Sequence, residues 1–276
     1  MAAGPIGSEA VRRTWPVIEG IPVFLYHEIA DEGESGSRSP NRKYVVVLRQ
    51  FRDQLSEIRN GGYQITSVRQ VAQRAYGTGR SLAGITFDDG CTSDYEKAFP
   101  LLVEAGLRAD FFLNTANIGK PGYLNWEQVR EMCKAGMAFH SHGHSHVALS
   151  RLDPAHLERE LRISRGILED KLGSVVDFLA APYGLLNRRV IQEAFRLGYR
   201  GVCNSRQWTA SWGNRSVNRV AILGHTSAEE FRKLLARHPL PYILRSMRSA
   251  AIYLPKQVLL RIQPMRLGVQ VVARQG

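Results

Sequence analysis

Two hydrophobic rhythms alternate along the chain. Short unbroken apolar runs read as buried strands, and stretches with apolar residues three or four apart read as helices packed on them. The run at 21–26 (I-P-V-F-L-Y) is the first strand. Phe51, Leu55 and Ile58 then mark a helix that Asn60, Gly61 and Gly62 stop. A short strand at 63–66 and a helix from Ser67 to about residue 75 lead into a second buried strand at 82–87 (L-A-G-I-T-F). Beyond it the pattern predicts a helix over 93–105, a strand over 109–113, a helix over 126–135 and a strand over 137–141. Asp153 and Pro154 open a long helix to residue 172, followed by a strand over 175–181, a helix over 187–197 and a strand over 199–203. A last strand over 217–223 and a last helix over 227–236 complete the series. About seven strands alternating with helices predict an α/β fold on a mainly parallel sheet, closed as a barrel or left open. The expected organisation is a leader over 1–20, one domain over 21–238 and a tail over 239–276.

Composition narrows the class. The chain has 276 residues, 44% of them hydrophobic and 22% charged, which excludes a disordered or collagen-like protein. Three scattered cysteines, Cys91, Cys133 and Cys203, make neither a disulfide framework nor a Cys-x-x-Cys metal clip. Residues 1–14 lack the apolar run of a secretory signal, so the sequence read by itself predicts a cytoplasmic protein. The net charge of +12 is concentrated at one end: no acidic residue follows Glu230, while nine cations do. A nucleic-acid binder with charge spread over a reader module would not look like this, and no nucleic-acid partner is expected.

The ends of the predicted strands carry the chemistry. Working residues of parallel β/α barrels sit at the C-terminal ends of strands. Those ends are His27, Asp88 with Asp89, Asn114, the segment 140–146, Tyr183 and His225. Four of the eight histidines fall in seven residues, at His140, His142, His144 and His146. Imidazoles four apart beside a carboxylate suit a divalent metal with positions left open for water. Two adjacent carboxylates divide their labour naturally, one binding the cation and the other staying free as a base.

The run Thr86-Phe87-Asp88-Asp89-Gly90, with His142-Gly143-His144-Ser145-His146, resembles the polysaccharide deacetylase family, the NodB-homology or carbohydrate esterase family 4 enzymes. The residues 21–29 (I-P-V-F-L-Y-H-E-I) resemble the first strand of its poly-N-acetylglucosamine deacetylase branch. The resemblance spans about residues 20–236 and implies a distorted (β/α) barrel of the NodB type. It implies Asp88 as general base and Asp89, His142 and His146 as ligands of a divalent metal, usually zinc. His140 and His144 are then extra. Two departures stand out: Ala180 occupies the place where the family often has an Arg that orients the base, and Gly143 the place of a Ser or Thr. Pro182-Tyr183-Gly184 is kept.

The implied reaction is metal-assisted hydrolysis of an N-acetyl group on a sugar or polysaccharide. The backbone N–H of Tyr183 would join the metal in holding the oxyanion, and His27, in preference to His225, would protonate the leaving amine. Trp126, Trp208, Trp212 and Tyr183 offer rings to a sugar. Deformylation, deacetylation of a lipid-linked sugar, and an inactive glycan- or membrane-binding barrel are the alternatives. The tail interleaves cations with apolar residues, Pro255 is expected to split it into two helices, and contact with an anionic membrane at the cytoplasmic face is one reading of it.

Overall fold

Four aromatic side chains on neighbouring strands set the register on which the rest of the molecule depends. In a computed structural model that describes residues 16–33, 42–73 and 81–262, Tyr26, Phe87, Phe111 and Phe139 lie opposite one another on β1 (Val23–Tyr26), β5 (Leu82–Asp89), β6 (Asp110–Leu113) and β7 (Ala138–Ser141). Their rings form a ladder with centroids 5.3, 4.9 and 5.5 Å apart. The ladder belongs to the main core, between the sheet and the helices around it. Side chains alternate across a strand, so the residues that follow, His27, Asp88, Phe112 and His140, turn to the other face. A slip of one residue would exchange the two sets, and the aromatic burial opposes it.

The sheet is nine-stranded and all its pairs are parallel, in the order β10-β9-β8-β7-β6-β5-β1-β11, with β4 (Gln64–Ile65) added against the start of β5. Here β8 is Phe178–Ala180, β9 Gly201–Cys203, β10 Ser216–Val217 and β11 Val220–Ala221. The single strand expected over 217–223 is therefore two strands on opposite edges of the sheet, separated in sequence by Asn218 and Arg219 alone. Edges joined by two residues must come close together, so the sheet curls into a distorted barrel with a seam between β10 and β11. The apolar run was legible, but the step inside it was not, because Val217 and Val220 read as one strand until the pairing is known. A separate parallel pair, β2 (Glu28–Ala30) with β3 (Val45–Val47), extends the chain beyond His27.

Helices α1 (Leu48–Asn60), α3 (Phe99–Ala105), α4 (Trp126–Lys134), α5 (Pro154–Leu172), α6 (Arg188–Arg196) and α7 (Ala228–Leu235) match the periodicity to within a few residues. Four of these six starts are capped: Asn125, Asp153, Asn187 and Ser227 each accept a backbone N–H with the side chain. The helix expected from Ser93 begins instead with a π-helical turn, Asp94–Ala98, before α3. Helix α2 (Val68–Gln73) lies at the N-terminal end of the barrel, where Val68 and Val71 join Ile21, Val23, Phe112, Phe178 and Cys203 in a second cluster inside the sheet.

The first turns of the tail pack on the barrel. Helix α8 runs without interruption from Pro239 to Ile262, through Pro255, which corrects the expected break. A proline removes one N–H and restricts the residue before it, and this helix continues past that local loss. Tyr242 is buried, its hydroxyl donating to the Leu234 carbonyl at 2.8 Å. Of the leader, residues 1–15 lie outside the described residues, as do 34–41, 74–75 of the helix begun at Ser67 and 263–276 of the tail. Ile18 is held by a backbone bond to Arg237.

Candidate metal and active site

The strand ends come together as their register requires. Asp88 and Asp89 close β5, Asn114 follows β6, His142 follows β7, Tyr183 follows β8 and His27 follows β1. The turn after β5 is tight: Asp89 has φ 80° and Gly90 φ 72°. A Cβ on Gly90 would stand 2.8 Å from Leu113, so glycine is required there for room as well as for the left-handed backbone.

Asp89, His142 and His146 offer ligand atoms that all lie within 4.8 Å of one another. The Nε2 atoms of His142 and His146 stand 3.5 and 3.1 Å from Asp89 Oδ1. His142 Nδ1 donates to the Ala180 carbonyl at 3.0 Å, which leaves its Nε2 as the lone-pair nitrogen facing Asp89. Asn114 Nδ2 donates to Asp89 Oδ1 at 3.3 Å. Two imidazoles and one carboxylate, with the rest of the coordination sphere free, fit a divalent cation such as zinc. Burial lowers the pKa of His142 to about 4, keeping the ring in the neutral form that a ligand needs. Burial opposes ionisation of Asp89, but its hydrogen bond with His146 and the nearness of His142 and His27 outweigh it, and its pKa falls well below the ordinary carboxylate range.

Asp88 has a different partner. It is buried, and Arg219, itself 1% exposed, grips both its oxygens, Nη1 to Oδ1 at 2.6 Å and Nη2 to Oδ2 at 2.8 Å. Burial pushes the Asp88 pKa up, yet the Arg219 charge, aided by His142, pulls it below its usual value. Arg219 lies in the two-residue step between β10 and β11, and its Nε also donates to the Asn204 carbonyl at 3.3 Å. Asp88 thus has a guanidinium partner although position 180 is an alanine. The sequence signal of Arg219 was a lone arginine between Val217 and Val220, since a charge inside an apolar run has to find a counter-charge.

His27 is half-buried, its ring is tilted against that of Tyr44 with centroids 4.5 Å apart, and its Nδ1 has no hydrogen-bond partner. Burial lowers its pKa although Asp89 and Asp88 are close enough to oppose the shift. His225 is exposed and lines a surface cavity of about 450 Å³ with Gln50, Asp53 and Phe231, a lining that contains none of Asp88, Asp89, His142 and His146.

The remaining histidines of the cluster are structural in placement. His140 Nε2 pairs with Asp110 Oδ1 at 2.9 Å, deeper in the barrel. His144 Nδ1 meets the Thr115 hydroxyl at 2.8 Å. The loop bearing His144 and His146 is held by Glu160 of α5, whose Oε2 accepts the backbone N–H groups of His144 and Ser145 at 2.9 and 3.0 Å. Glu160 carried no sequence signal, since it reads as one more charge on a helix surface.

Tyr183, with φ 62°, lies 4.9 Å from His146 between ring centroids and is 44% exposed, while the preceding Pro182 is buried. The other expected stacking rings go elsewhere. Trp126 opens α4 and packs on the main core, Trp208 stacks edge-on against Tyr242 at 5.8 Å, and Trp212 packs on the inner apolar cluster.

Comparison with known proteins agrees with this arrangement. Residues 75–202 match the family model described as polysaccharide deacetylase. YxkH of Bacillus subtilis (strain 168) is 24% identical over 216 residues, which cover 76% of this chain and 74% of its own. The poly-beta-1,6-N-acetyl-D-glucosamine N-deacetylase of Escherichia coli (strain K12) is 24% identical over 271 residues, covering 79% of this chain but 38% of that much longer protein. The Streptococcus pyogenes deacetylase PplD, solved in complex with acetate, superposes with a TM-score of 0.71 at 26% identity, over 80% of this chain and 99% of its own. With the Asp88-Asp89 turn and the paired histidines brought to one barrel mouth, the chain is similar in sequence and fold to the polysaccharide deacetylases.

Proposed function

We propose that this chain is a metal-dependent hydrolase that removes the acetyl group from an N-acetylated sugar or polysaccharide. The observation that carries the reading is the pairing of two neighbouring carboxylates with opposite partners. Asp89 faces two imidazole nitrogens, and Asp88 is locked in a bidentate ion pair with Arg219. Asp89, His142 and His146 would hold the cation, zinc being the best match to the donor set. When bound, it would supply Lewis acidity toward an amide carbonyl and a water of lowered pKa.

The protein's own groups do the proton work. Asp88, ionised and fixed in orientation by Arg219, accepts the proton of the attacking water. The Tyr183 N–H, displayed by its left-handed backbone, is a donor for the developing oxyanion. His27 is neutral at rest, because burial lowers its pKa. To protonate the leaving amine it must first take up a proton, and the one Asp88 accepts from water balances that demand over a turnover. The exposed ring of Tyr183 is the surface on which a sugar can lie.

The test is acetate release from N-acetylglucosamine oligomers, with and without a chelator, and after zinc is restored. Release that the chelator stops and zinc recovers is expected. His27→Ala should cut turnover by about 10²–10⁴-fold, and His225→Ala should leave it unchanged. Chelator-insensitive release, or no release in any metal, overturns the proposal. The reverse ranking of the two histidines moves the acid to His225.

A further inference from the structure

Helix α8 shows two faces of opposite character. One is bolted to the barrel. Tyr242 is buried, and Arg245 donates to Ala221 O at 2.6 Å, to Thr226 Oγ1 at 2.9 Å and to Glu230 Oε1 at 2.8 Å. Ser246 Oγ donates to Gln207 O at 3.3 Å. The other face carries Leu240, Ile243, Leu244 and Met247, which are 50%, 44%, 44% and 65% exposed. These positions, i, i+3, i+4 and i+7, make one continuous stripe. Large apolar side chains scattered singly are ordinary on a surface, but a row of four along one helix is not.

Every charged residue of the sequence after Glu230 is a cation. Of the nine cations after Glu230, Arg232, Lys233 and Arg245 are paired with Glu57, Glu229 and Glu230. Arg237 donates to the Gly20 carbonyl at 3.2 Å. Arg248 is exposed on the flank of the stripe, and Lys256, Arg261, Arg266 and Arg274 follow in sequence with no acidic residue among them. Among the described residues no helix is long and apolar enough to cross a membrane. A helix with an apolar row, flanking cations and no acids is built to lie in the interface of an anionic bilayer.

We infer that α8 is a docking surface for an anionic phospholipid membrane, and that it fixes the barrel rigidly against the lipid. Leu240, Ile243, Leu244 and Met247 enter the headgroup boundary while Arg248 neutralises lipid charge. The contacts of Tyr242 and Arg245 make the attachment a rigid one: the barrel cannot swing freely about α8 once the stripe is inserted.

The test uses the full chain and sedimentation with vesicles of phosphatidylcholine alone or mixed with phosphatidylglycerol, at low and high salt. Binding to the mixed vesicles at low salt, and release at high salt, is expected. Ile243→Ser with Met247→Ser should weaken binding about tenfold or more, and Arg248→Glu about fivefold or more. All these side chains are exposed, so thermal unfolding and acetate release should stay as in the unaltered chain. Three outcomes overturn the inference: no binding to anionic vesicles at low salt, binding that survives the double substitution unchanged, or a concentration-dependent dimer that the double substitution abolishes while vesicles are ignored. None of them touches the deacetylase reading, which is read from acetate alone.

Discussion

Two Asp–His groupings lie inside the same barrel, and they have opposite characters. In the deeper one, Asp110 and His140 are buried and close on each other. Asp110 Oδ1 meets His140 at 2.9 Å, its Oδ2 accepts the Val68 N–H of α2 at 3.1 Å, and Phe112 and Phe178 flank the His140 ring. In the upper one, Asp89 faces His142 and His146 at the strand ends, with Asp89 and His146 partly exposed. Residue type is the same in both. What differs is depth along the strands and the use of the carboxylate: the lower one has both oxygens used within the protein, although His140 Nδ1 has no partner, and the upper group keeps ligand atoms facing one another across an open mouth.

The sharpest way to break that contrast is to cut the upper group. Asp89→Ala or His142→Ala should abolish acetate release and remove bound zinc by elemental analysis, because two ligands do not hold the ion that three do. Asp88→Asn should retain zinc yet lose about 10²–10⁴-fold in turnover. Zinc lost from Asp88→Asn, or retained by Asp89→Ala, would show that the two carboxylates exchange roles.

Removing Arg219 comes next. Arg219→Met leaves Asp88 buried without its counter-charge, which should cost about 3–5 kcal/mol in denaturant unfolding. It should also raise the Asp88 pKa, so that activity begins to fall at a higher pH on the acid side. A variant as stable as the parent, with the same acid limb, would mean that Asp88 owes its ionisation to something else.

The lower pair should answer differently. His140→Asn should lower stability by about 1–3 kcal/mol, the cost of leaving a buried polar partner unsatisfied, while zinc content and kcat stay close to those of the parent. A tenfold loss of kcat with zinc retained would draw the lower pair into catalysis and erase the distinction.

The smallest effect is the pH dependence of the metal-free protein. His142 is held neutral down to about 4 in the folded state, whereas an unfolded histidine takes up its proton near 6.5. Between those values this histidine takes up a proton only in the unfolded chain, so its contribution to stability is full above 6.5 and declines as the pH falls through the window. His27, lowered in the same direction, adds to the slope. The unfolding midpoint of the metal-free chain should drop from pH 7 to pH 4.5, less steeply in His142→Gln. A flat profile, or one rising toward acid, would contradict the burial argument.

The amino-acid sequence determined the alternation of strands and helices, the helix starts at Asp153, Asn187 and Ser227, and the strand ends where ionisable groups gather. These are local properties: side-chain period, turn chemistry and capping act over a few residues, and so they are written in neighbouring positions. The Asp88-Asp89-Gly90 turn and the four-residue step from His142 to His146 are local in the same sense. Tertiary structure decided the rest. The strand read as one over 217–223 became two because pairing partners are chosen across the whole sheet. Arg219 reached Asp88 from 131 positions away. Glu160 came from a helix surface to hold the histidine loop, and Trp126, Trp208 and Trp212 went to packing rather than to the mouth. Helical period separated the buried Tyr242 from the bare stripe of Leu240, Ile243, Leu244 and Met247, but only the docking of α8 showed which face the barrel had covered. A charge or a ring does not carry its partner in its own sequence neighbourhood. The partner is fixed when distant elements close on each other, and burial then makes an unpaired choice too costly to persist.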